Sequence, residues 1–162
     1  MKEGLRQILL LLFLLVIGTS AFAENKLKSE LQGFLVVKEG EEENLLPLGD
    51  DVNPGDVIEY HLIYKNDNDY PLMGVQIISP IPENTVYVKN SALSERKNDF
   101  SVSIDDGTTY DKEPIIKVVR LDNGQEKTTE IGPEEYDYLR WIPLDGIKEK
   151  EIQKYQYRVL VQ

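Results

Sequence analysis

Apolar and polar residues alternate along most of this chain with a period of two, the repeat of a strand whose successive side chains point to opposite faces of a sheet. The clearest case is residues 57–65, where Ile58, Tyr60, Leu62 and Tyr64 share one face and Val57, Glu59, His61, Ile63 and Lys65 share the other. That segment follows the turn-forming Asn53-Pro54-Gly55-Asp56. It is closed by Asn66-Asp67-Asn68-Asp69, residues that tolerate left-handed backbone and bond their own main chain. Alternation also predicts strands over 33–38, over 75–79 ahead of Pro80 and Pro82, and over 85–89. In the second half, strands are predicted over 100–104, 115–121, 136–142 and 152–161, the last with Tyr155, Tyr157, Val159 and Val161 on one face. Asn123-Gly124 is a hairpin signal, because a type I′ turn needs positive φ at both central positions.

No stretch beyond residue 23 combines helical periodicity with caps. About seven to nine short strands, spaced by roughly 8 to 12 residues and separated by turn chemistry, predict an all-β antiparallel sandwich or barrel. Tyr60, Leu62 and Tyr64 are expected to face Trp141, Tyr155, Tyr157 and Val159 across the space between two sheets. The acidic run at 39–43, interrupted by Gly40, reads as a solvated loop that blocks edge pairing, with a cation or partner site as the alternative.

The amino terminus follows a different pattern. Lys2 and Arg6 precede an unbroken apolar run over 8–17, and Ala21-Phe22-Ala23 places small residues where a signal peptidase needs them. Ten apolar residues are too few for a bilayer core, which takes about twenty in a helix, so residues 1–23 are expected to be a cleaved signal peptide. Residues 24–32 then read as a flexible leader and 33–162 as one domain, expected not to insert in a membrane. The whole chain carries a net charge of −11. Without Lys2, Glu3 and Arg6 it has 16 cations against 28 acids, a net of −12, which argues against nucleic acid and anionic lipid as partners. There is no cysteine, so the exported fold is expected to use neither disulfide nor lipid anchor.

The stretch Val52-Asn53-Pro54-Gly55-Asp56, the strand with Tyr60, Leu62 and Asn66, the segment to Pro82, and Thr85-Val86-Tyr87-Val88 together resemble a bacterial family. It is the conserved repeat domain, domain of unknown function eleven, of exported and cell-surface proteins. Leu139-Arg140-Trp141 and the last strand resemble its closing strands, while 91–136 match loosely. Ser79 stands where the family usually has an aspartate, and this chain has room for one copy of a domain that often occurs in tandem. The resemblance implies an immunoglobulin-like β-sandwich outside the cytoplasm and no particular reaction.

Candidate chemistry is sparse. His61 is the only histidine, and alternation places it with Glu59 and Lys65 on the outward face, as a surface residue without a visible partner for base or ligand chemistry. One histidine and no cysteine leave no set for a zinc site or a Cys-His or Ser-His-Asp nucleophile, so no catalytic residue is assigned. Calcium is the one cofactor the oxygen donors suggest, with Asn66, Asp67, Asn68 and Asp69 the candidate ligands and Asp105-Asp106 a further acidic turn, although neither run has EF-hand spacing. Tyr110, Tyr136 and Tyr138 could serve a binding surface or packing. The expected function is that of an exported, non-enzymatic structural or interaction module, periplasmic, cell-surface or extracellular, with a protein partner in the envelope. The alternative is a small-ligand, carbohydrate or calcium-binding accessory domain.

Overall fold

A computed structural model describes residues 26–120 and 124–162. The signal peptide read over 1–23 and the Asn123 position of the expected hairpin turn lie outside the described residues. Among the described residues there are eleven strands: β1 (Leu27–Glu39), β2 (Glu42–Pro47), β3 (Val57–Asn66), β4 (Ile77–Pro80), β5 (Thr85–Tyr87), β6 (Leu93–Ser94), β7 (Asn98–Ser103), β8 (Ile116–Arg120), β9 (Glu126–Glu130), β10 (Tyr138–Pro143) and β11 (Ile152–Val161). Among the described residues the only helical turn is a short 3-10 segment, Pro133–Glu135. The fold is all-β, and every strand pairing is antiparallel.

The larger sheet runs β2-β1-β3-β11-β5, with β6 pairing β11 beside β5, and the smaller runs β4-β10-β7. A third unit, the ribbon β8-β9, belongs to neither sheet. The two sheets stack as a sandwich because each strand has one apolar face. Ile58, Leu62, Tyr155, Tyr157 and Val159 of the larger sheet close against Ile77, Val102, Leu139 and Trp141 of the smaller. The Trp141 ring lies 5.9 Å from Tyr155, 6.1 Å from Tyr157 and 5.2 Å from Phe100, centroid to centroid. Burying each such ring removes large apolar area from water and stabilises the fold by about 2–3 kcal/mol.

Strands β3 and β11 do not face each other across the sandwich as expected. The two are neighbours in one sheet, with Tyr60 opposite Tyr157 and Leu62 opposite Tyr155, so only Trp141 of the expected set lies across the interface. Alternation reveals which residues share a face but not which strands share a sheet.

Two further differences concern the amino-terminal hairpin. Residues 24–32 were expected to form a leader, yet β1 begins at Leu27 and pairs with β3 from Leu27–Asn66 to Val36–Val57. Its first half has mostly exposed side chains, so main-chain bonding to β3 holds it and no apolar alternation betrays it. The acidic run is not a long loop either: Glu39 ends β1, Glu42 and Glu43 begin β2, and Gly40 turns the chain with φ of +69°. Further along β1, Gly33 lets Leu48 pack close to the strand, and a Cβ there would meet Leu48 Cδ2 at 2.9 Å and oblige the end of that side chain to shift.

Buried tyrosine hydroxyls find partners. Tyr157 lies 3.0 Å from Ser79 Oγ and donates to the Pro80 carbonyl at 3.2 Å, and Tyr155 donates to Gln153 Oε1 at 2.5 Å. Burial pushes both phenols up to about 12. Ser79 thus faces inward between the sheets, where an aspartate would be buried beside a phenol.

Candidate functional site

The concentration of buried charge lies on the outer face of the larger sheet. Alternation along β3 sends Glu59 and His61 to that face, as expected, but the expectation of a surface histidine is corrected: Glu59 is 4% and His61 6% exposed. His61 Nε2 and Glu59 Oε1 are 2.6 Å apart, and the Phe34 ring covers the imidazole at 4.7 Å. Arg158, opposite Glu59 on β11, donates from Nε to Glu59 Oε2 at 2.7 Å and from Nη1 to Glu43 Oε2 at 2.8 Å. Lys38 flanks Glu43 at 3.5 Å.

Strands β1 and β3 lie between β2 and β11, so the Glu43–Arg158 bridge requires the sheet to curl around its outer face. The hairpin end, β3 and β11 are thereby tied by one ion network. Burial alone would raise the Glu59 carboxyl, but hydrogen bonds from His61 and Arg158 outweigh it and hold the group below its ordinary value. A carboxylate beside a histidine could orient a general base, but this ring is buried under Phe34 and its Nε2 is paired with the carboxylate itself. The geometry braces the sheet. The pairing was not visible in the sequence because Glu59 and His61 flank Tyr60 on a face that reads as polar and solvated.

The loop after β3 brings Asn66, Asp67, Asn68 and Asp69 together but aims them at protein groups. Asn66 is fully buried, and its Nδ2 donates to the carbonyls of Tyr70 (2.9 Å), Ile147 (3.0 Å) and Lys148 (2.9 Å). Its Oδ1 accepts from the amide and the side chain of Asn68 at 3.0 and 2.8 Å. Asp67 bridges Lys28 at 2.6 Å and Lys65 at 2.8 Å, and Asp69 bridges Lys150 at 2.7 Å. The lysine hydrogen bonds pull the Asp67 carboxyl down to about 2. Three lysines thus occupy the positions where a cation would compete. The loop is a clasp: Asn66 ties it to the turn before β11, and Asp67 N–H donates to the Lys26 carbonyl to fix the start of β1. Among the described residues no group of three or more His, Asp or Glu side chains is arranged to hold a metal ion.

The Asp105-Asp106 turn is likewise bonded to protein groups, with the Asp106 amide donating to Asp137 Oδ2. Asp105 accepts from the Thr109 amide at 2.8 Å, the Thr109 hydroxyl at 2.7 Å and Ser103 Oγ at 3.0 Å, and these bonds, led by the Thr109 amide, lower its carboxyl. Of the three loop tyrosines, Tyr136 is in the core 6.1 Å from Tyr87, and Tyr110 lies beneath the Arg140 guanidinium at 4.1 Å. Tyr138 is half-buried on β10.

Among the described residues one buried side-chain atom, Asp137 Oδ1, has no hydrogen-bond partner, and backbone edges and apolar surface are also left unmatched. Strand β2 ends the larger sheet, and its six residues are all exposed. Where the larger sheet overhangs β4, an open slot of about 190 Å³ is lined by Leu31, Leu62, Tyr64, Ile78 and Pro80. The β8-β9 ribbon displays Ile116, Val118 and Val119 at 51%, 63% and 48% exposure. Sequence reading found β8 but not its isolation, because β-branched runs look the same inside a sheet and outside one. Among the described residues no helix is long and apolar enough to cross a membrane. No family model, no curated protein and no solved structure matches the chain.

Proposed function

We infer that this protein is an exported, non-enzymatic interaction module of a bacterial envelope or cell surface, working by presenting strand edges and a β arm to a protein partner. The carrying observation is the contrast between the Glu59–Arg158 network and the Asn66 clasp, both satisfied within the fold, and apolar β structure left uncovered on the ribbon. A two-stranded ribbon is marginal by itself in water, and exposed β-branched residues on it favour a covering surface. The leader pattern of residues 1–23 supports export, and the resemblance of the 52–90 stretch to the conserved repeat domain supports a surface location. The test is cross-linking in intact cells of the source bacterium, followed by recovery of the tagged chain from the envelope fraction. A specific protein adduct lost on replacing Ile116, Val118 and Val119 by serine is expected. Recovery of the chain in the cytosol, or an adduct pattern unchanged by the serine variant, would overturn the reading.

A further inference from the structure

Strand order sets the arm and the acidic hairpin on different edges of the larger sheet, although the curl of that sheet brings Glu43 of the hairpin to Arg158, whose carbonyl accepts from Val88 just past β5. β2 is one edge of the larger sheet and β5 the other. The root of the arm is fastened beside β5, where Tyr87 Oη donates to Glu113 at 3.2 Å and Lys89 pairs with Glu130, while the Ile131 amide, donating to the Ile115 carbonyl at 2.9 Å, closes the base of the ribbon itself. The two surfaces differ in character. Among the described residues β2 pairs with no strand but β1 and offers a ladder edge with Glu42, Glu43, Leu45 and Leu46, whereas β8 offers Ile116, Lys117, Val118, Val119 and Arg120 on a ribbon that pairs with no further strand.

The charge contrast is local. Segment 115–131 balances Lys117, Arg120 and Lys127 against Asp122, Glu126 and Glu130, so the net charge of −11 resides entirely outside the arm. Two acidic bodies repel one another, and the neutral arm with its cationic β8 is the surface least opposed by that repulsion. The spacing also agrees. An antiparallel register that sets Ile116 opposite Leu46 sets Arg120 opposite Glu42, because each pair of positions is four residues apart and falls on a single face. Glutamates along β2 that discourage pairing with a like-charged edge admit a strand carrying Arg120.

We propose that β8 of one copy adds to the β2 edge of a second copy, building a head-to-tail assembly of this chain. The inference rests on the interaction-module reading and names its partner as the chain itself. The contact joins different surfaces of the two copies, so it leaves an arm and an acceptor free at the ends and extends into chains or closes into a ring.

The chain has no cysteine, which permits a direct test with purified protein. Ile116→Cys and Leu46→Cys variants, mixed and mildly oxidised, are expected to give a mixed disulfide, and neither variant alone the corresponding self-linked dimer. In sedimentation velocity the wild type is expected to grow beyond a dimer with concentration. Arg120→Glu alone and Glu42→Arg alone should each weaken assembly by about tenfold. An equimolar mixture of the two should restore it, since each arm then meets an opposite charge. The double variant in one chain should also assemble, with a circular dichroism spectrum like the wild type, which separates lost contact from lost folding. A monomer at every concentration, self-linked dimers from either single cysteine variant, or indifference to both charge reversals would overturn the proposal. If purified protein is monomeric while the cellular cross-link to another protein persists, self-pairing fails and the interaction-module reading stands. Absence of both would remove both.

Discussion

The sandwich body and the β8-β9 arm use the same local language, antiparallel strands rich in β-branched residues, but their side chains meet opposite fates. In the body, Trp141, Tyr155, Tyr157 and Leu139 are buried, and the outer face is braced by Glu59, His61, Arg158 and Glu43. On the arm, Ile116, Val118 and Val119 face water with only a partner strand for support. A strand therefore does not carry its stability with it. The second layer supplies it, and the arm has none.

That contrast can be broken at graded points. Trp141→Ala removes the ring around which both sheets close and is expected to cost about 4 kcal/mol in urea unfolding. A cost below about 1 kcal/mol would mean the two sheets do not share this core. Asn66→Asp keeps the shape of the clasp but replaces the amide donor with a carboxylate facing three carbonyls, for an expected loss of about 3 kcal/mol. Restored stability on adding calcium to this variant would reveal cation affinity in the loop.

Glu59→Gln leaves His61 and Arg158 without their anion, and about 2 kcal/mol should be lost at neutral pH, less than for a wholly buried pair because Arg158 is part-exposed and keeps Glu43. The Glu59 carboxyl is lower in the folded state than its ordinary 4.5, so its contribution is complete above pH 4.5 and disappears as pH falls through the depressed folded value. The variant should accordingly show a flatter acid limb than the wild type in unfolding measured across that range. Val118→Ser on the arm should change the unfolding free energy by less than about 0.5 kcal/mol at low protein concentration. A larger loss would show that the arm packs on the body.

Legibility followed the physics of each element. The strands β10 and β11 were readable because one face is buried and the other is not, β3 because its inner face is apolar throughout although both faces are covered, and the turns around them because Pro54-Gly55 and Asn66 to Asp69 favour turn backbone. The first half of β1 was unreadable because main-chain bonding to β3, rather than apolar alternation, keeps it extended. His61 was placed on the correct face yet misjudged in burial, since Phe34 and Arg158, which close over the pair, come from strands 27 and 97 residues away in sequence. The four oxygen-bearing residues after β3 looked like cation ligands because nothing local announces Lys28, Lys150 or the 147–148 carbonyls as their partners.

The amino-acid sequence by itself determined the strand repeat, the turns, the acidic balance and the absence of thiol chemistry, all properties that depend on residues within a few positions of one another. Only the tertiary structure decided which strands share a sheet, that the outward Glu59–His61 pair is buried, that the 66–69 loop is a clasp, and that β8 and β9 stand apart from the core. The reason is physical: side-chain periodicity fixes a face, whereas burial and pairing depend on which distant segment arrives to cover it.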